Sequence, residues 1–164
     1  MKLIILRGAA GVGKTTVSDL LAKALHARCY HLADTLRALN IRYVPGYGKW
    51  IPLEKFLSAH AALRPQIREE LKTKDVIVEG NFYHENAIID FTQEFESIVL
   101  TLDAPLKDCI HRDSTRGEKY IGPERIAQVY ALTHAFSAGI SINTENMTAQ
   151  DVVAEIIKKL KIKE

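Results

Sequence analysis

The chain has 164 residues, of which 47% are hydrophobic and 26% charged, and its formal net charge is +2. This composition is typical of a soluble globular protein and argues against a disordered, repetitive or fibrous chain. The length fits one hydrophobic core, so we expect residues 1–164 to form a single domain.

Apolar runs typical of strands alternate with amphipathic stretches typical of helices along the chain. The predicted strands are residues 3–6, 29–32, 76–80, 97–103 and 140–143. The predicted helices are residues 15–27, 34–40, 53–74, 84–94, 123–136 and 148–160. Residues 53–74 are expected to form one helix or two, with Pro65 as the break, because proline lacks the backbone N–H that a helix interior uses. Five strands separated by helices predict an α/β protein with a parallel sheet covered on both faces.

The cysteines and the apolar runs indicate a cellular compartment. Cys29 and Cys109 are too few and too far apart for a disulfide framework, and no His/Cys/Asp/Glu spacing suggests a zinc site. The apolar start of the chain is too short for a signal sequence, and no run is long enough for a membrane span. We therefore expect a cytoplasmic protein with no membrane partner, either a monomer or a homodimer.

The stretch GAAGVGKT, residues 8–15, matches the GxxxxGK[ST] pattern of the P-loop, or Walker A motif, at every fixed position. It follows a predicted strand and opens a predicted helix, as this motif requires. Backbone N–H groups at a helix start attract phosphate, because they lack partners and the helix dipole is positive there. We expect Lys14 to reach the β- and γ-phosphates of ATP and Thr15 to hold Mg²⁺. The residues expected to bind the nucleotide here are Gly8, Gly11, Val12, Gly13, Lys14, Thr15 and Thr16.

A basic cluster, HRDSTRGEKY at residues 111–120, follows the fourth predicted strand. Arg112 and Arg116 are four residues apart, so one helical turn would present both to the same ligand. Phosphoryl transfer spreads negative charge over the phosphate oxygens, and arginines on a closing loop stabilise that charge and exclude water. The alternative is a solvated helix end on which Asp113 and Glu118 pair with these arginines.

These two motifs resemble those of the small P-loop kinases, with the skeleton of nucleoside monophosphate and shikimate kinases. Residues 112–130 are most similar to the lid of polynucleotide 5′-hydroxyl kinases, in which RxxxRG precedes a proline-started helix ending in tyrosine. The resemblance implies a three-layer P-loop NTPase sandwich whose five-stranded parallel sheet has the order 2-3-1-4-5, with a mobile lid. It also implies a kinase that uses ATP and Mg²⁺, with catalytic roles for Lys14, Arg112 and Arg116.

The segment HLADTLR, residues 31–37, follows the second predicted strand and resembles the DxxR of polynucleotide and adenylylsulfate kinases. The resemblance implies that Asp34 accepts the proton of the acceptor hydroxyl and that Arg37 orients the acceptor or a phosphate. An ordinary carboxylate within about 3 Å of that proton suffices, because proton loss is late in a loose transition state. Alternatively, Asp34 caps the predicted helix that follows it.

Two further segments lie at predicted strand ends, where a parallel sheet places its ligands. In EGNFYH, residues 79–84, Glu79 is a candidate for holding a Mg²⁺-bound water or acting as the base, or is a buried structural residue. Asn81 and Tyr83 are candidates for contact with the acceptor. Residues 140–153 resemble the last strand, loop and helix of nucleoside monophosphate and shikimate-type kinases, whose loop packs on the adenine. Asn143 and Thr144 are therefore candidate base contacts.

The resemblance implies that the region between the second and third strands binds the acceptor, and residues 37–74 of this region carry eight basic and three acidic side chains. The basic residues are Arg37, Arg42, Lys49, Lys55, Arg64, Arg68, Lys72 and Lys74. Interleaved aromatic residues, Tyr43, Tyr47, Trp50 and Phe56, favour an anionic or base-bearing acceptor, possible classes being a nucleoside, a nucleotide or a 5′-hydroxyl nucleic acid. Alternatively, the aromatic rings pack this segment onto the body and the basic side chains are solvated.

Two other functions stay open. A sugar, shikimate-type or antibiotic kinase shares the same skeleton, with ATP and a hydroxyl-bearing acceptor as its partners. A nucleotide-binding regulatory switch would need the P-loop but no acceptor, and Asp34 together with two lid arginines argues against it.

Overall fold

The computed structural model describes residues 1–41 and 50–161. Five parallel strands form one sheet in the order β2-β3-β1-β4-β5, which confirms the predicted fold class. The strands are β1 (Leu3–Gly8), β2 (Arg28–His31), β3 (Val76–Gly80), β4 (Ser97–Asp103) and β5 (Ile140–Asn143). The helices of the described residues are α1 (Lys14–Leu25), α2 (Leu32–Ala38), α3 (Leu53–Glu70), α4 (Glu85–Thr92), α5 (Leu106–Ser114), α6 (Pro123–Thr133) and α7 (Ala149–Lys161), with a 3₁₀ turn at Gly117–Lys119.

The centre of the sheet is buried because helices cover both of its faces, with α1 packed on α7, α3 on α4 and α5 on α6. Every residue of β1 and β3 is buried, as the apolar runs that open both strands predict for the centre of a parallel sheet. In this arrangement β1 lies between β3 and β4, and the connections after β1 and β4 leave the sheet at the same edge. This edge, formed by the carboxyl ends of the strands, holds most of the predicted site residues.

Helix α3 runs without interruption from Leu53 to Glu70 and contains Pro65 in its interior. The prediction that Pro65 breaks this helix is wrong. Ala59, Leu63 and Ile67 are buried at helical spacing, and α3 packs on α4. Their burial contributes about 1.5–3 kcal/mol for each large apolar side chain, which offsets the roughly 3 kcal/mol that an interior proline costs.

An arginine occupies the buried face of β1, immediately before the glycine-rich turn. Arg7 is fully buried, and its Nη2 donates a hydrogen bond of 2.5 Å to the carbonyl of Thr133 at the end of α6. Its guanidinium also lies 4.4 Å from the ring centre of Phe136. Burial lowers the pKa of Arg7. Arg7 therefore ties the strand that precedes the P-loop to the end of α6.

None of the helices described in residues 1–41 and 50–161 combines the length and apolar character that crossing a membrane requires.

Candidate nucleotide and acceptor site

The turn between β1 and α1 leaves the first N–H groups of α1 open to a ligand. Gly13 precedes the helix with φ of 100°, and no side chain caps the helix start. A Cβ on Gly13 would meet no atom within 4 Å, so this left-handed position faces open space. The first turn of α1 holds no acidic residue that would repel an anion. These features make the turn a suitable cradle for a phosphate.

Helix α5 supports the cradle from beneath. Gly11 has φ of +81°, and a Cβ on it would lie 2.3 Å from the carbonyl oxygen of Cys109 in α5. Val12 is buried beside it. Only glycine fits this close approach, which sets the height of the turn above the sheet.

Lys14, the first residue of α1, is buried, and its Nζ donates a 2.8 Å hydrogen bond to the carbonyl of Ala9. Burial lowers the pKa of Lys14. The carboxylate of Glu79 opposes that shift, and the guanidinium of Arg116 adds to it. Lys14 therefore experiences charges from both the end of β3 and the lid segment.

The residues present fit a triphosphate with Mg²⁺. Thr15 and Thr16 are exposed on the first turn of α1, so the Thr15 hydroxyl is accessible to a cation. Glu79 adds a carboxylate at the end of the neighbouring strand β3. A P-loop hydroxyl and a strand-end carboxylate are the protein groups that hold Mg²⁺ in P-loop proteins.

Glu79 is anchored by a histidine from the edge strand. The exposed fraction of Glu79 is only 6%, and its Oε2 lies 2.9 Å from His31 Nδ1. His31 Nε2 lies 3.1 Å from Oδ1 of Asp19 on α1. The hydrogen bond with Glu79 raises the pKa of His31. Sequence analysis did not identify His31 or Asp19, because only the pairing of β2 with β3 brings His31 opposite Glu79.

Asp34 lies in the first turn of α2, directly after the end of β2. Its Oδ1 accepts a 2.7 Å hydrogen bond from Arg37 Nη1, and both side chains are largely exposed. The alternative that Asp34 caps this helix is wrong, because α2 begins at Leu32 and His31 occupies the cap position. The Asp34 carboxylate is therefore accessible to an acceptor.

Arg112 joins the P-loop to the loop that follows β5. Its Nη1 donates to the carbonyl of Val12 at 3.1 Å, and its Nη2 donates to the carbonyl of Thr144 at 3.2 Å. Thr144 is buried, and its hydroxyl donates to the carbonyl of Asp103. Asn143 Oδ1 accepts a hydrogen bond from the backbone N–H of Glu145. Asn143 and Thr144, the predicted base contacts, thus stabilise the β5–α7 loop, and Arg112, predicted to be catalytic, joins this loop to the P-loop.

Residues 112–130, which resemble a lid, do not form one helix that carries both arginines. Helix α5 ends at Ser114, so Arg112 is helical whereas Arg116 lies beyond the helix end. The prediction that one helical turn presents both arginines is wrong. Asp113 is buried, and its Oδ2 accepts hydrogen bonds from the backbone N–H groups of Ile121 and Gly122 at 3.1 and 3.0 Å.

Arg116, in the loop that follows α5, pairs with the buried carboxylate of Asp113. Its Nη1 lies 3.4 Å from Asp113 Oδ1, as the solvated-pair alternative predicts for one of the two arginines. The positive charge of Arg116 also helps to lower the pKa of Lys14.

Tyr83 is buried, and its hydroxyl accepts a 3.2 Å hydrogen bond from the backbone N–H of Ile51. His84 Nε2 donates to the carbonyl of the same residue at 2.8 Å. The ring of Trp50 packs edge-on against Tyr83 and lies under the guanidinium of Arg125. Tyr83 and His84 therefore fasten the chain at residue 51 to the end of β3, and the hydroxyl predicted to contact the acceptor already has a partner.

Asn81 is half-buried between β3 and α4, at the same edge of the sheet. Phe56 is buried and packs on Tyr83 and His84, as the packing alternative predicts for this ring. Tyr43 and Tyr47 lie outside the described residues, as do Arg42 and Lys49.

Carboxylates neutralise most of the described basic residues in the acceptor region. The ion pairs of this region join Arg37 to Asp34, Arg64 to Asp90 and Glu94, Arg68 to Glu94, Lys72 to Glu69, and Lys74 to Glu70. Of the eight basic residues, only Lys55 is described and absent from these pairs. The basic excess of the sequence is therefore largely balanced locally or across α3 and α4.

No family model matches this chain, and no curated protein sequence matches it. Solved structures match it over nearly its whole length. A sugar kinase from Janibacter sp. HTCC2649 has a TM-score of 0.78 at 18% identity, with 99% of this chain and 95% of that chain covered. A shikimate kinase from Acinetobacter baumannii in complex with shikimate has a TM-score of 0.70 at 17% identity, with 100% and 95% covered.

A thymidylate kinase from Candida albicans has a TM-score of 0.70 at 16% identity, with 99% of this chain and 92% of that chain covered. Identities this low establish a common architecture. The strand order, the P-loop and these full-length matches lead to one conclusion: the chain has the fold of the small P-loop kinases.

Proposed function

We propose that this chain is an ATP-dependent phosphotransferase that moves the γ-phosphate of ATP to a hydroxyl group of an acceptor. The observation that carries the proposal is the buried Lys14 at the phosphate cradle, with the buried carboxylate of Glu79 at the end of the neighbouring strand β3. A cation fixed at the cradle, a buried carboxylate and a lid arginine are the groups that phosphoryl transfer needs around the transferring group.

Each group has a role that follows from its position. The backbone of residues 8–16 binds the phosphates, Lys14 contacts the β- and γ-phosphates, and Thr15 with Glu79 holds Mg²⁺ directly or through water. The bound ion would neutralise charge on the phosphate oxygens. Arg116 is proposed to exchange its contact with Asp113 for the transferring phosphoryl group when the lid closes.

Asp34 is proposed to accept the proton of the acceptor hydroxyl. It lies at the strand edge that holds the cradle, its carboxylate is exposed, and Arg37 orients it. Glu79 is less suited to this role, because it is buried and already accepts a hydrogen bond from His31. Arg112 is proposed to position the nucleotide site through the P-loop and the β5–α7 loop, where Asn143 and Thr144 would contact the base.

A small acceptor is favoured over an extended nucleic acid. A strand of nucleic acid needs unpaired cations along a groove, whereas most described basic residues of the acceptor region pair with carboxylates. We propose nucleosides and nucleotides as the first acceptors to test and sugars as the second class. The matching structures support both, since they are named as kinases of a sugar, shikimate and thymidylate.

The decisive experiment screens nucleosides, nucleotides, 5′-hydroxyl oligonucleotides, sugars and aminoglycosides for transfer from labelled ATP. With the acceptor found, Asp34→Asn is expected to lower kcat by about 10² to 10⁴ while ATP affinity stays unchanged, because it removes the proton acceptor alone. The matched control is Glu155→Gln, which also replaces a carboxylate by an amide but lies on α7. It should leave kcat unchanged.

Three outcomes would contradict the assignment. Full transfer by Asp34→Asn together with a large loss in Glu79→Gln would make Glu79 the base. Efficient phosphorylation of oligonucleotides but not of nucleosides or sugars would overturn the small-acceptor proposal. Tight ATP binding without transfer to any acceptor class would favour a nucleotide-dependent switch.

A further inference from the structure

We propose that Asp19, Cys29 and His31 form a Zn²⁺ site at the junction of α1 and β2, outside the proposed phosphotransfer centre. The carboxylate, thiol and imidazole ligand atoms all lie within 4.8 Å of one another. The three residues are called the zinc triad below.

Two different elements bring the triad together. Cys29 and His31 are two positions apart on β2, so their side chains project from the same face of the strand. Helix α1 packs against β2 and brings Asp19 to that face. No local spacing of ligands marks such a site, because the carboxylate comes from a helix that precedes the strand.

The separation of the ligand atoms fits a tetrahedral zinc ion. Zn–N and Zn–O bonds of about 2.0–2.1 Å at tetrahedral angles place the nitrogen and oxygen about 3.3 Å apart. His31 Nε2 and Asp19 Oδ1 are 3.1 Å apart. The protein therefore already holds two ligands at the required spacing, with the Cys29 sulfur beside them.

The environment of His31 prepares its outer nitrogen for a cation. Its Nδ1 lies 2.9 Å from the buried carboxylate of Glu79, so Nδ1 carries the proton of that hydrogen bond. In the neutral ring the lone pair of Nε2 then faces the Asp19 carboxylate. Nε2 and Asp19 Oδ1 are both acceptors and lie 3.1 Å apart, so a cation between them is needed to bind both atoms. A carboxylate behind the inner nitrogen is the arrangement that orients metal-binding histidines in proteins. A proton on His31 Nε2 would satisfy the same two atoms, so protonation of the ring competes with metal binding.

The ligand set favours zinc over the magnesium expected at the phosphate cradle. Magnesium takes oxygen ligands, whereas thiolate and imidazole suit zinc. Three protein ligands leave the fourth tetrahedral position to water. Because His31 also holds Glu79, a metal bound to the triad would fix the orientation of both side chains.

The test uses the full chain, freed of metal by a chelator and titrated with Co²⁺ in the absence of ATP. We expect one equivalent to bind, with a thiolate-to-cobalt charge-transfer band in the near ultraviolet, and one equivalent of Zn²⁺ to displace it. Cys29→Ser should abolish the band, and Glu79→Gln should weaken Zn²⁺ binding by about 10- to 100-fold through the loss of a charged partner for His31. Cys109→Ala, which removes the other cysteine, should keep the band.

Asp19→Asn provides a second variant with little risk to folding, because this side chain is exposed. It should also weaken Zn²⁺ binding by at least about 10-fold. The proposal is overturned if no saturable binding occurs at one equivalent, or if the band survives in Cys29→Ser and disappears in Cys109→Ala. These readouts do not depend on phosphotransfer, so they stand or fall separately from the proposed kinase activity.

Discussion

The two glycines of the cradle allow nucleotide binding to be separated from stability. Both Gly11 and Gly13 have positive φ, so an alanine at either position strains the backbone by about 1–2 kcal/mol. They differ in the space that a methyl group would meet. At Gly13 that space is open, whereas at Gly11 it is occupied by the backbone carbonyl of Cys109 at 2.3 Å.

Gly13→Ala should therefore cost only the backbone strain in the nucleotide-free protein. For a chain of this length, about 1–2 kcal/mol corresponds to a loss of about 2–8 °C in Tm. ATP affinity should fall much further, because the methyl group enters the space in front of the α1 N–H groups. Loss of two charge-assisted hydrogen bonds at about 1.5 kcal/mol each raises the Kd for ATP by about 10².

Gly11→Ala should show the opposite balance. Its methyl group overlaps a backbone atom that no side-chain rotation can move, so overpacking adds to the strain and the total is about 3–5 kcal/mol. Calorimetric titration with ATP and thermal melts of both variants measure the two effects. A Kd for Gly13→Ala within about threefold of the unmodified protein would refute the placement of phosphate at this helix start.

Two further predictions concern the lid and the core. Arg116→Ala should lower kcat by about 10² in steady-state kinetics, with a smaller change in ATP affinity, because the guanidinium is proposed to meet the phosphoryl group only when the lid closes. A loss of ATP affinity with unchanged kcat would instead mean that Arg116 binds the nucleotide before the reaction. Buried His60 donates its Nδ1–H to Asp90 beside Arg64, and no hydrogen-bond partner for its Nε2 is found among the described residues. Burial lowers the pKa of His60 below its ordinary 6.5, so the unfolded chain binds more protons and the free energy of unfolding should fall as pH drops below that value. Denaturant titrations between about pH 5 and 7 should show a weaker dependence of the unfolding free energy on pH in His60→Gln. The exposed control His26→Gln should keep the original dependence. An unaltered dependence in His60→Gln would contradict the role given to His60.

The cradle and the sheet could be predicted because their signals are local. The P-loop pattern combines a strand, a turn and a helix within a short stretch, and continuous apolar runs mark buried parallel strands. The order of the strands came from the resemblance to small P-loop kinases rather than from the pattern of residues. This order could be applied to the present chain because the P-loop identifies which segment is the first strand.

The rest of the site depends on contacts between distant residues. His31 and Glu79 are 48 positions apart and meet only through the register of β2 on β3. The different positions of Arg112 and Arg116 depend on where α5 ends, and helix ends are poorly determined by periodicity. Pro65 shows the same limit, because tertiary burial of α3 outweighs the local preference of one residue.

The buried carboxylate of Asp113 binds the backbone N–H groups of Ile121 and Gly122, where the chain returns to the end of α5. The residues between these points form a loop whose two ends are already joined. Lengthening such a loop costs little, about 0.6 kcal/mol for each doubling of its length. Insertions or exchanges at Gly117–Lys119 should therefore be tolerated without disturbing α5, which supports the cradle through Cys109. The length of this loop can therefore change, in evolution or by engineering, with little effect on the helix that carries Asp113.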